Sequence, residues 1–231
     1  MMKEIILWGK KFNIEKTQEM ELSGIKGIIP REVGLLKNLL FLNLSRNNLE
    51  GEIPKELFNL KKINTINLSY NNISGPIPSN LGSMKKIISL NLQSNKIYGK
   101  IPQSIRNLKM LNYLNLSNNK ISGNFPFEIL ELKKIWYLNL SNNSLSGEFS
   151  EEMIDYFSNK KLPLQNLLIG NNRVLDKGQL SKSYSEQNLK EYMKNDSLRI
   201  IVEMNLGKKN FTCYTMDLTK KYLEINSDYR T

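Results

Sequence analysis

The 231-residue chain contains no histidine and one cysteine, Cys213. The first absence removes the commonest metal ligand and every serine–histidine or cysteine–histidine nucleophile pair. The second forbids an internal disulfide. A lone cysteine in a strand-like stretch reads as a small buried residue rather than a reactive thiol. Alanine is missing altogether. No apolar run reaches the length of a signal-peptide core or a membrane helix; near the N-terminus only Ile5-Ile6-Leu7-Trp8 is continuous. The expectation is an intracellular, cytoplasmic protein with no membrane span, no metal and no cofactor. Sequons such as Asn43-Leu44-Ser45 recur, but a repeat generates them, so they are not read as glycosylation sites.

What the chain does have is basic charge and repetition. The net charge is +11, the sequence pI is about 9.5, and hydrophobic residues make up 40% of the whole, enough for a sizeable core. Such basicity admits a nucleic-acid or membrane partner. Lysine, asparagine and isoleucine are enriched together, however, and share AT-rich codons, so most of the basicity is read as coding bias. The repetition is regular. Asn47, Asn71, Asn95, Asn119 and Asn143 stand 24 residues apart, and so do Gly51, Gly75, Gly99, Gly123 and Gly147. Pro30, Pro54, Pro78, Pro102 and Pro126 keep the same step. A fixed period of this length specifies a solenoid, which is usually a binding surface rather than a catalyst.

Each copy reads Leu-x-x-Leu-x-Leu-x-x-Asn, then Leu-x-Gly-x-Ile-Pro. In a short strand alternate side chains face opposite ways. Leu42 and Leu44 therefore point inward, as do Ile66 and Leu68, Leu90 and Leu92, Leu114 and Leu116, and Leu138 and Leu140. Burying each is worth roughly 1.5–3 kcal/mol. The signature asparagine is expected to satisfy backbone groups left open by the turn after the strand and to bond to the next coil. Gly and Pro then turn the chain along the convex side.

This 24-residue pattern resembles the plant-type leucine-rich repeat of receptor-like kinases and receptor-like proteins, over about residues 17–175. The resemblance implies an α/β solenoid, a horseshoe with a parallel concave sheet. Residues 1–16 read as an N-terminal cap without the paired cysteines of secreted relatives, with Trp8-Gly9 as its remnant. The first copy, from Met20 to Pro30, is shortened; the fifth has Phe149-Ser150 where Ile-Pro is expected; a longer sixth, Leu164 to Asn172, closes the array. Exposed Leu164, Leu167 and Leu168 at that end favour capping by the tail.

Three columns are expected on the concave face. One is Phe41, Thr65, Ser89, Tyr113 and Tyr137; the next is Asn43, Asn67, Asn91, Asn115 and Asn139; the third is Ser45, Ser69, Gln93, Ser117 and Ser141. Trp136 stands beside them. Phe41, Tyr113, Trp136 and Tyr137 break a small, polar surface, and aromatics dominate interface energetics. They mark a candidate protein or peptide site with the asparagine column, although consensus filling by mutually stacked rings would look the same. Lys37, Lys61, Lys85, Lys109 and Lys133 form a further column, doubled by Lys62, Lys86 and Lys134. Like charges one coil apart, about 4.8 Å, cost up to about 1 kcal/mol per pair in water, less with salt. An acidic partner would relieve the ridge. Nucleic acid is the weaker reading, since no helix-turn-helix, zinc-finger or RNP signature is present.

Residues 176–231 do not repeat and read as a small α+β segment: a helix over 185–194, strands over 198–206 and 211–216 joined by a turn, and a last helix from Asp217 to Leu223. The run Met216-Asp217-Leu218-Thr219 through Ile225-Asn226-Ser227-Asp228-Tyr229-Arg230-Thr231 resembles the C-terminus of bifunctional ornithine acetyltransferase (glutamate N-acetyltransferase) of arginine biosynthesis. In that family the matching asparagine and threonine, Asn226 and Thr231 here, help bind the amino-acid substrate. The resemblance covers about the last 50 residues. The family's nucleophilic threonine follows an alanine at a self-cleavage site, and this chain has no alanine. No activating base or oxyanion hole is present either. No catalytic residue is therefore assigned, and catalysis by this chain alone is disfavoured. The expectation is a leucine-rich-repeat interaction module; the alternative is a fragment or fusion of the acetyltransferase contributing a substrate-binding C-terminus.

Overall fold

The alternation within each Leu-x-Leu puts two aliphatic side chains per coil into one continuous interior. In the computed structural model, which describes residues 3–124, 126–146 and short strands at 166–169, 172–173, 175–176, 179–180 and 200–203, all ten of the expected inward residues are at most 1% exposed. The strands Glu19–Glu21, Phe41–Asn43, Thr65–Asn67, Ser89–Asn91, Tyr113–Asn115 and Tyr137–Asn139 form one parallel sheet. Its register repeats without slippage: Phe41, Thr65, Ser89, Tyr113 and Tyr137 are successive partners. The fold is a leucine-rich-repeat solenoid.

The signature asparagines bind coil to coil. Asn71 Nδ2 donates to the carbonyls of Leu44 (2.9 Å), Leu68 (3.1 Å) and Ser69 (3.3 Å), and its Oδ1 accepts the Leu49 N–H at 3.0 Å. Two of these four partners lie in its own turn and two in the preceding coil. Asn95, Asn119 and Asn143 repeat the arrangement. The first coil has Ser23-Gly24 in place of the longer turn and no such amide. Asn47 serves it from outside, bonding the Leu22 carbonyl and the Ile25 N–H.

The convex side is richer than a simple turn. Segments after each asparagine form short parallel strands of their own: Lys26–Ile28 pairs with Asn48–Glu50, and Ser74–Pro76, Lys96–Gly99, Lys120–Asn124 and Ser144–Ser146 make a second sheet. Each of the five prolines then precedes a single-turn 3-10 helix, from Arg31–Leu35 to Phe127–Glu131. The proline carbonyl accepts the N–H three residues on, as in Pro54 to Leu57 at 3.0 Å. Among the described residues the convex helices are 3-10 turns, not α-helices, because a 24-residue coil leaves only about one turn of chain there.

At the N-terminus Glu4–Leu7 and Lys10–Asn13 form an antiparallel hairpin around Trp8-Gly9. Both turn residues have positive φ, +46° and +75°, the geometry that suits a two-residue hairpin loop. Ile5 and Leu7 are buried against the first coil. At the other end the sixth copy does not stack directly on the fifth, contrary to expectation. The tail strand Ile200–Glu203 pairs antiparallel with Tyr137–Asn139, and Asn166–Ile169 pairs antiparallel with that strand in turn. The last regular coil would otherwise leave an open sheet edge, and a strand of either direction satisfies it. The expected helices at 185–194 and 217–223 and the strand at 211–216 lie outside the described residues, as do Cys213, Asn226 and Thr231.

Neighbouring 3-10 turns touch so closely that only glycine fits at two points. A Cβ on Gly34 would lie 2.6 Å from the Glu56 carbonyl oxygen, and one on Gly82 would overlap the Ser104 carbonyl oxygen. Gly34→Ala should lower unfolding stability by about 1–3 kcal/mol, read as a lower urea midpoint with unchanged slope. Asn71→Ala should lose at least about 3 kcal/mol, because buried partners in two coils are orphaned together. A loss below about 0.5 kcal/mol in either variant would contradict this packing.

Candidate functional site

The concave sheet brings Tyr113, Trp136 and Tyr137 together. Tyr113 and Tyr137 are register partners on adjacent strands, and their rings stack with centroids 4.3 Å apart and planes 9° apart. Trp136 closes the cluster at 6.1 Å from each tyrosine ring, tilted 58° to Tyr113 and 67° to Tyr137. Its indole also rests partly on the core. Phe41 does not join them. It lies three strands from Tyr113, about 14 Å at normal strand spacing.

The asparagine column divides into different roles. Ser45, Ser69, Ser117 and Ser141 each donate their hydroxyl to Oδ1 of the asparagine two residues before, at 2.7–2.9 Å. Those oxygens are thus used within their own coils. Asn43 Nδ2 donates to Glu21 at 2.6 Å, and Asn139 Nδ2 to the Tyr137 hydroxyl at 3.3 Å. Asn67 and Asn91 are register partners whose Nδ2 groups have no hydrogen-bond partner among the described residues. They present two adjacent donors to the concave face. Asn115 is 2% exposed, with its amide on Gln93 Oε1 (3.0 Å) and the Tyr113 hydroxyl (3.4 Å). It supports Tyr113 rather than offering itself to a partner.

The third expected column is corrected as well. Ser69, Ser117 and Ser141 are buried at 3%, 1% and 4% exposure. The chain bends inward straight after the strand, and the serine–asparagine bond holds these hydroxyls under the turn. The next residue in each coil, Arg46, Tyr70, Ser94, Asn118 and Asn142, takes positive φ between +51° and +56°. Arg46 lies over the Tyr70 ring at 4.9 Å, and Gln93 Nε2 donates to the Tyr70 hydroxyl at 3.3 Å.

Two residues escaped the sequence reading. Ile88 and Met110 are 38% and 41% exposed. Ile88 occupies the same repeat position as Trp136, linked through Asn112: the Asn112 N–H bonds the Ile88 carbonyl, and the Trp136 N–H bonds the Asn112 carbonyl. The signal was available as a further column, Leu40, Asn64, Ile88, Asn112 and Trp136. On the lysine column Lys109 pairs with Glu131 at 3.0 Å, Lys37 donates to the Gly34 carbonyl, and Lys62 donates to Asn38.

Comparison with known proteins divides the chain in two. Residues 38–60, 62–84 and 85–145 match models of the leucine-rich repeat, and residues 151–231 match the ArgJ family model. In the second segment 66 residues are 38% identical to the arginine biosynthesis bifunctional protein ArgJ of Mesorhizobium japonicum, covering 29% of this chain and 16% of that protein. The chain thus spans about a sixth of the length of the curated relatives it matches. Among solved structures, the PEPR1–AtPEP1 complex is 39% identical with a TM-score of 0.54, over 55% of this chain and 18% of that one. The plant peptide hormone receptor RGFR1 in complex with RGF2 is 31% identical with a TM-score of 0.56, over 63% and 27%. A plant ice-binding protein is 29% identical with a TM-score of 0.53, over 57% and 43%. The fold by itself therefore does not name a ligand. No helix among the described residues is long and apolar enough to cross a membrane.

The aromatic cluster stands above a core that does not need it. Tyr113→Ala should cost only about 1 kcal/mol, the value of one ring pair with its partial burial, and leave a cooperative melt. A loss beyond about 3 kcal/mol would make Tyr113 a structural residue instead.

Proposed function

We propose that the repeats form a protein-binding module whose partner, a protein or peptide, lies on the concave face. The observation that carries this reading is the Tyr113–Trp136–Tyr137 cluster, three aromatic rings in contact on an otherwise small, polar sheet. Rigid rings held by one another, with Trp136 resting partly on the core, give large contact area at low entropic cost. Beside them Asn67 and Asn91 offer paired donors suited to peptide carbonyls, and Asn139, Asn43 and Phe41 extend the surface along the sheet. One of the similar solved structures is a plant peptide hormone receptor, RGFR1, in complex with RGF2, which supports a peptide-sized partner. A single cysteine, with no disulfide to form within the chain, supports an intracellular setting.

A second reading concerns the tail, because residues 151–231 match the ArgJ family. In it this segment is a fused piece of the acetyltransferase, with Asn226 and Thr231 able to contribute to an amino-acid site only when another chain supplies the nucleophile. The junction of the two parts then falls between residue 145, where the leucine-rich-repeat match ends, and residue 151, where the ArgJ match begins.

A photo-crosslinking residue at Ser89, on the concave sheet, and one at Arg106, on a convex turn, distinguish these readings in extracts of the native source. The module reading predicts one defined adduct from position 89, lost in Trp136→Ala, and none from position 106. Equal labelling from both positions would overturn it. The acetyltransferase reading predicts acetyl exchange between acetylornithine and glutamate by the full chain with a partner chain, lost when Thr231 is deleted.

A further inference from the structure

The positive charge is not spread evenly. Between Glu56 and Glu128 the chain carries no acidic residue, yet nine lysines and arginines fall in that interval. Coding bias does not explain this, since the codons of glutamate include an AT-rich one and glutamate occurs freely in the coils on either side. The structure places much of that charge along one edge of the concave sheet. Lys61, Lys85 and Lys86 of that interval, with Lys133 of the next coil, are exposed there, and their ammonium groups have no hydrogen-bond or ion-pair partner among the described residues. Among the described residues only Lys109 in that column has a carboxylate, Glu131 of the following coil.

The lysines also alternate with apolar side chains. Lys86, Met110 and Lys134 share one repeat position, and Lys134 Nζ lies 3.2 Å from the Met110 sulfur. Ile88 and Trp136 share the next position but one, adjoining Tyr113 and Tyr137. Exposed Ile88 and Met110 and the half-buried Trp136 thus form an apolar strip, interrupted by Asn112 and fenced by the unpaired Lys85, Lys86 and Lys133 ammonium groups, with Lys134 resting on Met110. A neutral peptide would cover the strip and leave the fence unanswered. A strip that also bound nucleic acid by stacking would use the aromatic faces, but Tyr113 and Tyr137 already stack on each other.

We infer that this edge takes an acidic protein segment carrying an aliphatic or aromatic anchor: the anchor sits on Ile88, Met110 and Trp136, and its flanking carboxylates pair with Lys85, Lys86, Lys133 and Lys134. This inference rests on the concave-face reading and names its partner class. From the coil of Lys61 to that of Lys133 is about 14 Å, the span of about four extended residues, so one short segment reaches all of them. Carboxylates meeting exposed ammonium groups speed encounter and confer salt sensitivity.

The test uses the full chain and fluorescent peptides of about ten residues in anisotropy titrations. One peptide alternates glutamates with leucine and tryptophan; a second has glutamine for every glutamate; a third has serine for every apolar residue; oligo-thymidylate of matching charge is the fourth probe. The acidic, apolar peptide should bind more tightly than the others by about tenfold, and weaken by about as much when salt rises well past the ionic strength at which the screening length is ~10 Å. Lys86→Glu with Lys133→Glu and Lys134→Glu should weaken it at least about tenfold, while Lys96→Glu with Lys120→Glu, on the second sheet, should not. Thermal melts of both variants report folding. Equal effects of the two charge reversals, or tighter binding of the oligonucleotide, would overturn the inference. If Trp136→Ala abolishes binding of every peptide while the ridge reversal does nothing, the concave site stands and only the partner class falls. If neither variant matters, both fall.

Discussion

The side-chain amide of the repeating asparagine is the interaction on which this solenoid depends. A coil that ends in a sharp turn strands carbonyls and N–H groups in a place water does not reach, and each would cost about 1–3 kcal/mol if left open. One asparagine per coil satisfies its own turn and two groups of the coil before it, as Asn71 does with Leu44 and Leu49. A residue that must bond its own coil and the previous one leaves no freedom in the spacing between them. The 24-residue period, the parallel register and the stacking of every column follow from that constraint. Where the amide is missing, in the first coil, the chain shortens its turn and is served by Asn47.

Register locked in this way turns each repeat position into a straight column on the surface. A substitution in one coil then changes one cell of a grid without disturbing its neighbours. Most cells of the concave grid are small or amide side chains. The departures gather in the coils of Ile88, Tyr113 and Tyr137, where apolar and aromatic groups adjoin unpaired lysines. The interior is filled by leucine and isoleucine at almost no exposure, so stability does not require those surface departures. That separation between what holds the stack and what decorates it makes the cluster a candidate site rather than part of the core.

Much of this was legible in the residue order because period-two alternation and a 24-residue step are geometric facts. The inward leucines, the asparagine ladder and the glycines of positive φ stand where the pattern puts them. Other features depend on bonds that spacing does not reveal. Ser69 and Ser117 read as surface residues by alternation, yet each turns under the chain to bond the preceding asparagine. Asn115 reads as one of five equal amides but is buried beneath Tyr113 by its bond to Gln93. The second sheet was invisible because its strands are three to five residues long and three of the four contain glycine, which argues against strand on propensity alone. Ile88 and Met110 were missed because they stand just outside the strand, where alternation stops.

The chain joins two segments of different resemblance, leucine-rich repeats and an ArgJ-like tail, and the proposed activity belongs to the first. Its central claim is that the concave face is occupied in the native setting. The chain has two tryptophans, Trp8 and Trp136, so Trp8→Phe protein labelled with fluorotryptophan carries a single fluorine reporter in the aromatic cluster. Its fluorine resonance should shift or broaden on adding unlabelled extract of the native source, and return when Tyr113→Ala is introduced. A resonance unmoved by extract, at protein concentrations where a micromolar partner would be seen, would contradict the account.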